Sequence, residues 1–187
     1  ETVPLRRLFQ ISPLAFVGMG LQGFAASMIF GMGAVFANIT GMTNQQGSIF
    51  LASFTIANVV MQYPIGRMSD RFDRRLVILI VASISALAAA IASIVGLSNY
   101  WTLLGLTAIF GGFSMTIYSL CIAHANDYLS PSQMVGTASA LITVNGIGAI
   151  FGPPIIAALV DLFGSYMFFA MLAAVHIGLG LFVLARM

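Results

Sequence analysis

Long apolar runs separated by short polar ones set the pattern of this chain. Six of the runs lie near residues 13–39, 46–65, 76–97, 101–124, 134–160 and 165–185. A helix needs roughly 20 residues to cross a bilayer core of about 30 Å, and each run reaches about that length or exceeds it. The pattern therefore predicts an all-α membrane protein, a bundle of six transmembrane helices occupying residues 13–187, with residues 1–12 as a cytoplasmic linker and the start of the first helix. The separators are Gly41-Met42-Thr43-Asn44, an arginine-rich segment, Ser98-Asn99-Tyr100, Asn126 to Ser132, and Leu162-Phe163-Gly164. Their shortness makes successive spans antiparallel neighbours. Composition agrees: 60% of the residues are hydrophobic and 6% charged, against about 25% charged in a soluble domain. The N-terminus has neither an initiator Met nor a cleavable signal pattern, which suggests a chain cut from a longer protein at a linker.

Charge adds topology. The stretch Pro64 to Arg75 holds Arg67, Arg71, Arg74 and Arg75 together with Asp70 and Asp73. Each arginine at a bilayer centre would cost about 2.5–3.5 kcal/mol, so burying four would cost on the order of 10 kcal/mol. The stretch is expected in water, as a tight loop between the second and third spans. Arg6 and Arg7 precede the first span and Arg186 follows the sixth, so all seven basic residues fall on one side, while the opposite loops carry only Asp161. By the positive-inside rule both termini face the cytoplasm. Tyr100 and Trp101, at the outer start of the fourth span, suit an interfacial aromatic belt. With so few charged groups, the net charge of +2 gives no reason to expect nucleic acid as a partner, and no metal or cofactor motif is present.

Polar residues inside the spans are the candidate chemistry. Thr55, Asn58 and Gln62 share one face of the second span. Thr107, Gly111, Ser114, Tyr118 and Cys121 share a face of the fourth, and Gln22, Thr143 and Asn145 add polar groups to the first and fifth. A buried amide without a partner is costly, so these faces point at one another or at a wet cavity. Interhelical hydrogen bonds alone could account for each residue, and together they favour a cavity. His176 is the ionisable side chain placed deep in a span and is by default a functional candidate; a neutral imidazole hydrogen-bonded to a neighbour is the competing reading, favoured by its place in the sixth span. His124 is expected to reach the interface, and Cys121 to be a small buried side chain. No Asp or Glu lies mid-span to carry a proton, so a proton carrier would have to be His176 or lie outside this chain. Small residues four apart predict packing seams: Gly23, Ser27 and Gly31 in span one, Gly148 and Gly152 in span five, Ala170, Ala174 and Gly178 in span six. Gly152, Pro153 and Pro154 are expected to kink or interrupt span five and to serve as a hinge.

Gly66, Asp70, Arg71, Arg74 and Arg75 resemble the signature loop of the major facilitator superfamily, G-x-x-x-D-R-x-G-R-R/K, which lies between the second and third helices of a six-helix half. Asp73 stands where the family usually has its second glycine; it can cap a helix starting at Arg74. Gly146 to Pro154 looks like the glycine-proline fifth helix of many members. The resemblance implies the C-terminal half of a bacterial-type permease in the plasma (inner) membrane, with the N-terminal half of the same parent chain as its partner. In that fold the first and fourth helices line the cavity and the second and fifth flank the opposing half, so Gln22, Asn58, Gln62, Ser114, Tyr118 and Asn145 become the substrate-cavity candidates. Family members also tie the signature loop to an acid ending the fourth helix, which implies a cytoplasmic gate formed by Asp127 with Arg71, Arg74 or Arg75, and Asp70 near the N-terminus of a neighbouring helix. The function implied is secondary transport of a small solute, neutral or amphipathic because no charged residue faces the cavity. A membrane scaffold or sensor that transports nothing is the alternative, and an intramembrane enzyme has little support from these residues.

Overall fold

The computed structural model describes residues 4–95 and 98–187. Its helices are α1 (Leu5–Ile11), α2 (Pro13–Ile39), α3 (Asn44–Arg71), α4 (Arg74–Ile94), α5 (Tyr100–Ser114), α6 (Ile117–Asn126), α7 (Pro131–Phe163) and α8 (Met167–Leu184). With α5 and α6 taken together, six helical segments among the described residues are long and apolar enough to cross a membrane. The protein is an integral multi-pass bundle, one six-helix unit of the kind the hydrophobic pattern predicts.

Local chemistry explains where the helices begin and end. Thr43 and Gln46 form a reciprocal capping box at the start of α3, and Ser130 and Gln133 form another ahead of Pro131 in α7. Each box satisfies backbone N–H groups that the first helical turn leaves without partners. Asp73 Oδ1 accepts from the Arg75 amide at 2.8 Å, and Asn99 Oδ1 accepts from the Trp101 amide at 2.9 Å. Gly164 ends α7 at φ +104°, a conformation that glycine adopts without steric cost.

Several boundaries differ from expectation. The arginine stretch is not a loop: α3 continues through Pro64, Gly66, Asp70 and Arg71, and only Phe72 and Asp73 separate it from α4. Hydropathy reports where lipid would end, whereas the helix needs only backbone hydrogen bonds and carries its charged residues beyond that level. Residues 5–11, within the stretch expected as linker and start of the first helix, form a separate short helix whose Leu8 is fully buried in the core; Glu1, Thr2 and Val3 of that stretch, and residues 96 and 97 at the expected end of the third span, lie outside the described residues. The fourth span is broken at Met115 and Thr116. There the Thr116 amide bonds to the Phe113 carbonyl three residues back, at 3.2 Å. The Thr116 hydroxyl donates to the same carbonyl at 2.6 Å, and Ser119 Oγ donates to the Thr116 carbonyl at 2.9 Å. Such side-chain bonds compete with the helical ladder. The interruption expected at Gly152-Pro153-Pro154 is absent, since α7 runs unbroken from Pro131 to Phe163.

Packing rests on close approach, as it must where lipid is as apolar as the side chains. The predicted rows of α2 and α7 are one seam. A β-carbon at Gly23 would overlap the Asn145 carbonyl, one at Gly148 the Gly20 carbonyl, and one at Gly152 the Ser27 hydroxyl and Phe24 carbonyl. Gly111 meets the Phe54 backbone in the same way and brings α5 onto α3. The third row is not a seam: Ala174 and Gly178 are exposed, and α8 instead buries Phe168, Phe169, Leu172, His176, Leu179 and Val183. Those large side chains recur at helical spacing and take the inward face. α3 and α7 are the least covered spans, with 17% and 11% of their most apolar stretch buried against 50% for the other four.

Candidate functional site

Four spans converge on a recess of about 260 Å³. Gln22, Ala26 and Phe30 enter from α2, Thr55, Asn58 and Gln62 from α3, Tyr118 and Ser119 from α6, and Asn145 from α7; Met115 enters from the break. The i, i+3, i+7 spacing of Thr55, Asn58 and Gln62 places them on one side of α3, and the glycine seam brings Asn145 close to α2, where its Nδ2 donates to the Met19 carbonyl at 3.0 Å. Gln22 is 4% exposed, and its Nε2 points at Met115 Sδ, 3.8 Å away. Gln22 Oε1 and Asn58 Oδ1 are buried without a hydrogen-bonding protein partner. Among the described residues, no acidic or basic side chain lines the recess.

Five of the six cavity candidates, Gln22, Asn58, Gln62, Tyr118 and Asn145, thus share one recess. Ser114 does not join them. It is fully buried, and its hydroxyl lies 2.8 Å from His176 Nε2, while His176 Nδ1 lies 2.7 Å from the Leu172 carbonyl. A carbonyl can only accept, so Nδ1 carries the proton toward Leu172 and Nε2 accepts from Ser114. This pattern satisfies both ring nitrogens of a neutral imidazole, and the Phe110 ring packs edge-on against it with centroids 5.0 Å apart. His176 therefore ties α8 to the end of α5. Thr107 and Cys121 are likewise buried in the interior, and Thr143 is exposed on α7. The single face expected along the fourth span does not survive its break, which leaves Ser114 in the dry interior and Tyr118 on the recess. Met115, Ser119 and Phe30 were not expected at the recess; nothing in an apolar or hydroxyl side chain distinguishes a cavity wall from a packing contact.

The arginine end forms a second constellation. Arg74 Nε donates to Asp127 Oδ2 at 2.7 Å, and its Nη1 donates to Ser69 Oγ at 2.8 Å and to Asp70 Oδ1 at 3.5 Å. Arg75 Nη2 donates to the Tyr128 hydroxyl at 2.9 Å, and Nη1 to the Arg186 carbonyl at 3.0 Å. One short cluster thereby joins α3, α4, the end of α6 and the end of α8. Of the three arginines expected near Asp127, Arg74 holds the carboxylate, Arg75 holds Tyr128, and Arg71 is exposed. Asp73 supplies the helix cap, and Asp70 sits beside the first residue of α4. A β-carbon at Gly66 would meet nothing within 4 Å, so no close approach inside this chain requires glycine there. His124 is buried at this same polar end, its ring against Tyr128 at 5.3 Å. Tyr128 was missed in sequence, although its place next to Asp127 at a span end was a usable signal.

Comparison with known proteins gives a family for this arrangement. The model of the Major Facilitator Superfamily matches residues 15–187. The uncharacterized MFS-type transporter YcaD of Escherichia fergusonii is 25% identical over 158 residues, covering 84% of this chain and 40% of the relative. The protein of the same name from Escherichia coli K12 is 27% identical over the same length, with the same coverage. The matched region spans about two fifths of the length of these curated relatives.

Proposed function

This chain belongs to the Major Facilitator Superfamily, and we propose that it is one six-helix half of a secondary transporter that moves a small solute by alternating access. A second six-helix half, the N-terminal half of the same parent chain, rocks against it around a site near the bilayer midplane. The observation that carries this reading is the convergence of Gln22, Asn58, Gln62, Tyr118 and Asn145, from four spans, on one recess. A purely structural bundle has no need to gather amides around a hollow. The poorly covered faces of α3 and α7 are the surfaces the second half would cover.

The arginine cluster is the cytoplasmic gate. Arg74–Asp127 is half-exposed, with side chains 22% and 45% accessible, and such pairs are worth about 0–1 kcal/mol. A contact of that size closes one side of the bundle without trapping it. The excess of arginine at this end orients it toward the cytoplasm by the positive-inside rule, with both termini there, in the inner membrane of a bacterium.

The test is an uptake and efflux screen of the full-length protein in vesicles. The expected result is that a small solute is moved and that Asn58→Leu lowers its rate at least tenfold with normal insertion. Failure of the correctly inserted protein to move any solute would overturn the transport reading and leave a scaffold or sensor.

A further inference from the structure

Two buried hydrogen-bond acceptors at the recess have no protein donor, and that narrows the solute. Gln22 Oε1 and Asn58 Oδ1 are both acceptors without a protein donor, and both residues line the hollow. The orientation of the Gln22 amide follows from its neighbour: Met115 sulfur is a weak acceptor, so the NH2 group faces it and the oxygen is left over. The Asn145 NH2 group is likewise occupied, by the Met19 carbonyl. Ala26, Phe30 and Met115 give the remaining wall an apolar surface, the usual make-up of a small-molecule site in which a few polar groups fix orientation.

Resting on the transport reading above, we propose that this half of the protein recognises an uncharged hydrogen-bond donor, a hydroxyl or amide N–H, on an otherwise apolar solute, with Gln22 and Asn58 as the accepting residues. A solute ammonium group also has donors, but no carboxylate lines the recess to offset the loss of its hydration, and burying an unpaired charge is far costlier than burying a hydroxyl. A solute carboxylate would likewise bring a charge that no arginine among the lining residues offsets. Both oxygens are covered in this conformation, so the solute reaches them as the wall shifts.

The experiment uses four probes on one skeleton: 2-phenylethanol, its methyl ether, 2-phenylethylamine and phenylacetate. Binding to the purified full-length protein is read from saturable shifts of its thermal unfolding midpoint. The expected order places the alcohol first, with the ether, amine and carboxylate each at least tenfold weaker. Gln22→Leu and Asn58→Leu each weaken the alcohol at least tenfold, and Gln22→Glu moves the preference to the amine. Two variants on different helices keep the test open if one fails to fold. Equal binding of alcohol and ether, preference of the unaltered protein for either charged probe, or no binding of the alcohol overturns the inference. The predicted order of binding in a protein that moves no solute in vesicles would overturn the transport reading and uphold the donor-recognition site.

Discussion

At the end of the bundle away from the arginines, Phe36 stacks on Phe168 with ring centroids 4.6 Å apart and meets Phe169 edge-on at 5.4 Å; Phe50 meets Phe54 edge-on at 5.3 Å. All five rings are at most 1% exposed. At the arginine end an aliphatic cluster that includes Val77, Ile78, Ala125 and Val183 is capped by Arg74, Asp127, Arg75 and Tyr128, through a few polar bonds within reach of water. The aromatic end is held by many dispersion contacts, each small, lost only when whole rings separate. The polar cap at the arginine end consists of bonds that water can replace at little cost. On the reading proposed above, one end of this half stays together and the polar cap at the other is what opens.

The largest effect is expected where the helices have no room to yield. Gly148→Leu drives a side chain into the Gly20 backbone and separates α2 from α7, so the full-length protein carrying it loses its folded fraction in detergent size-exclusion chromatography. Phe36→Ala comes next. Soluble cores lose about 3–5 kcal/mol for such a change, and here a loss on the order of 2 kcal/mol is expected because lipid also solvates the ring; thermal unfolding in detergent measures it. His176→Ala removes the acceptor of the Ser114 hydroxyl and leaves a buried group unpaired, at about 1–3 kcal/mol. Its transport rate is expected to stay largely intact, and complete loss of transport with normal insertion would assign His176 a direct role. The smallest stability effect belongs to Asp127→Asn, about 1 kcal/mol or less. The charge swap Asp127→Arg with Arg74→Asp should recover transport lost in Asp127→Arg, whereas the same swap with Arg71 should not.

How much of this was legible in sequence depends on the physics each residue reports. The six spans were visible because lipid demands long apolar runs, and Gln22, Asn58, Gln62, Tyr118 and Asn145 were visible because polar side chains in such runs need partners. Asp127 and the arginines were legible through the signature motif and the one-sidedness of charge. Ser114 lies in a different environment from the one expected because the break at Met115 and Thr116 follows from hydroxyl bonding to carbonyls, which the hydropathy pattern does not announce. At Pro153 and Pro154 the helix continues where an interruption was one of the two expectations, and the ring of Pro153 packs close to Gly31 of α2. The length of α3 beyond Pro64 was hidden because helical hydrogen bonds continue where hydropathy falls.

The most direct test of the central claim, that the arginine end opens in each transport cycle, is a reversible tether across it. In the full-length protein with Cys121→Ala, cysteines replacing Arg74 and Asp127 are joined by a short reducible bis-thiosulfonate cross-linker, and solute flux is measured before tethering, after it, and after reduction. Flux that stops on tethering and returns on reduction is the predicted result. Undiminished flux through fully cross-linked protein would contradict the account.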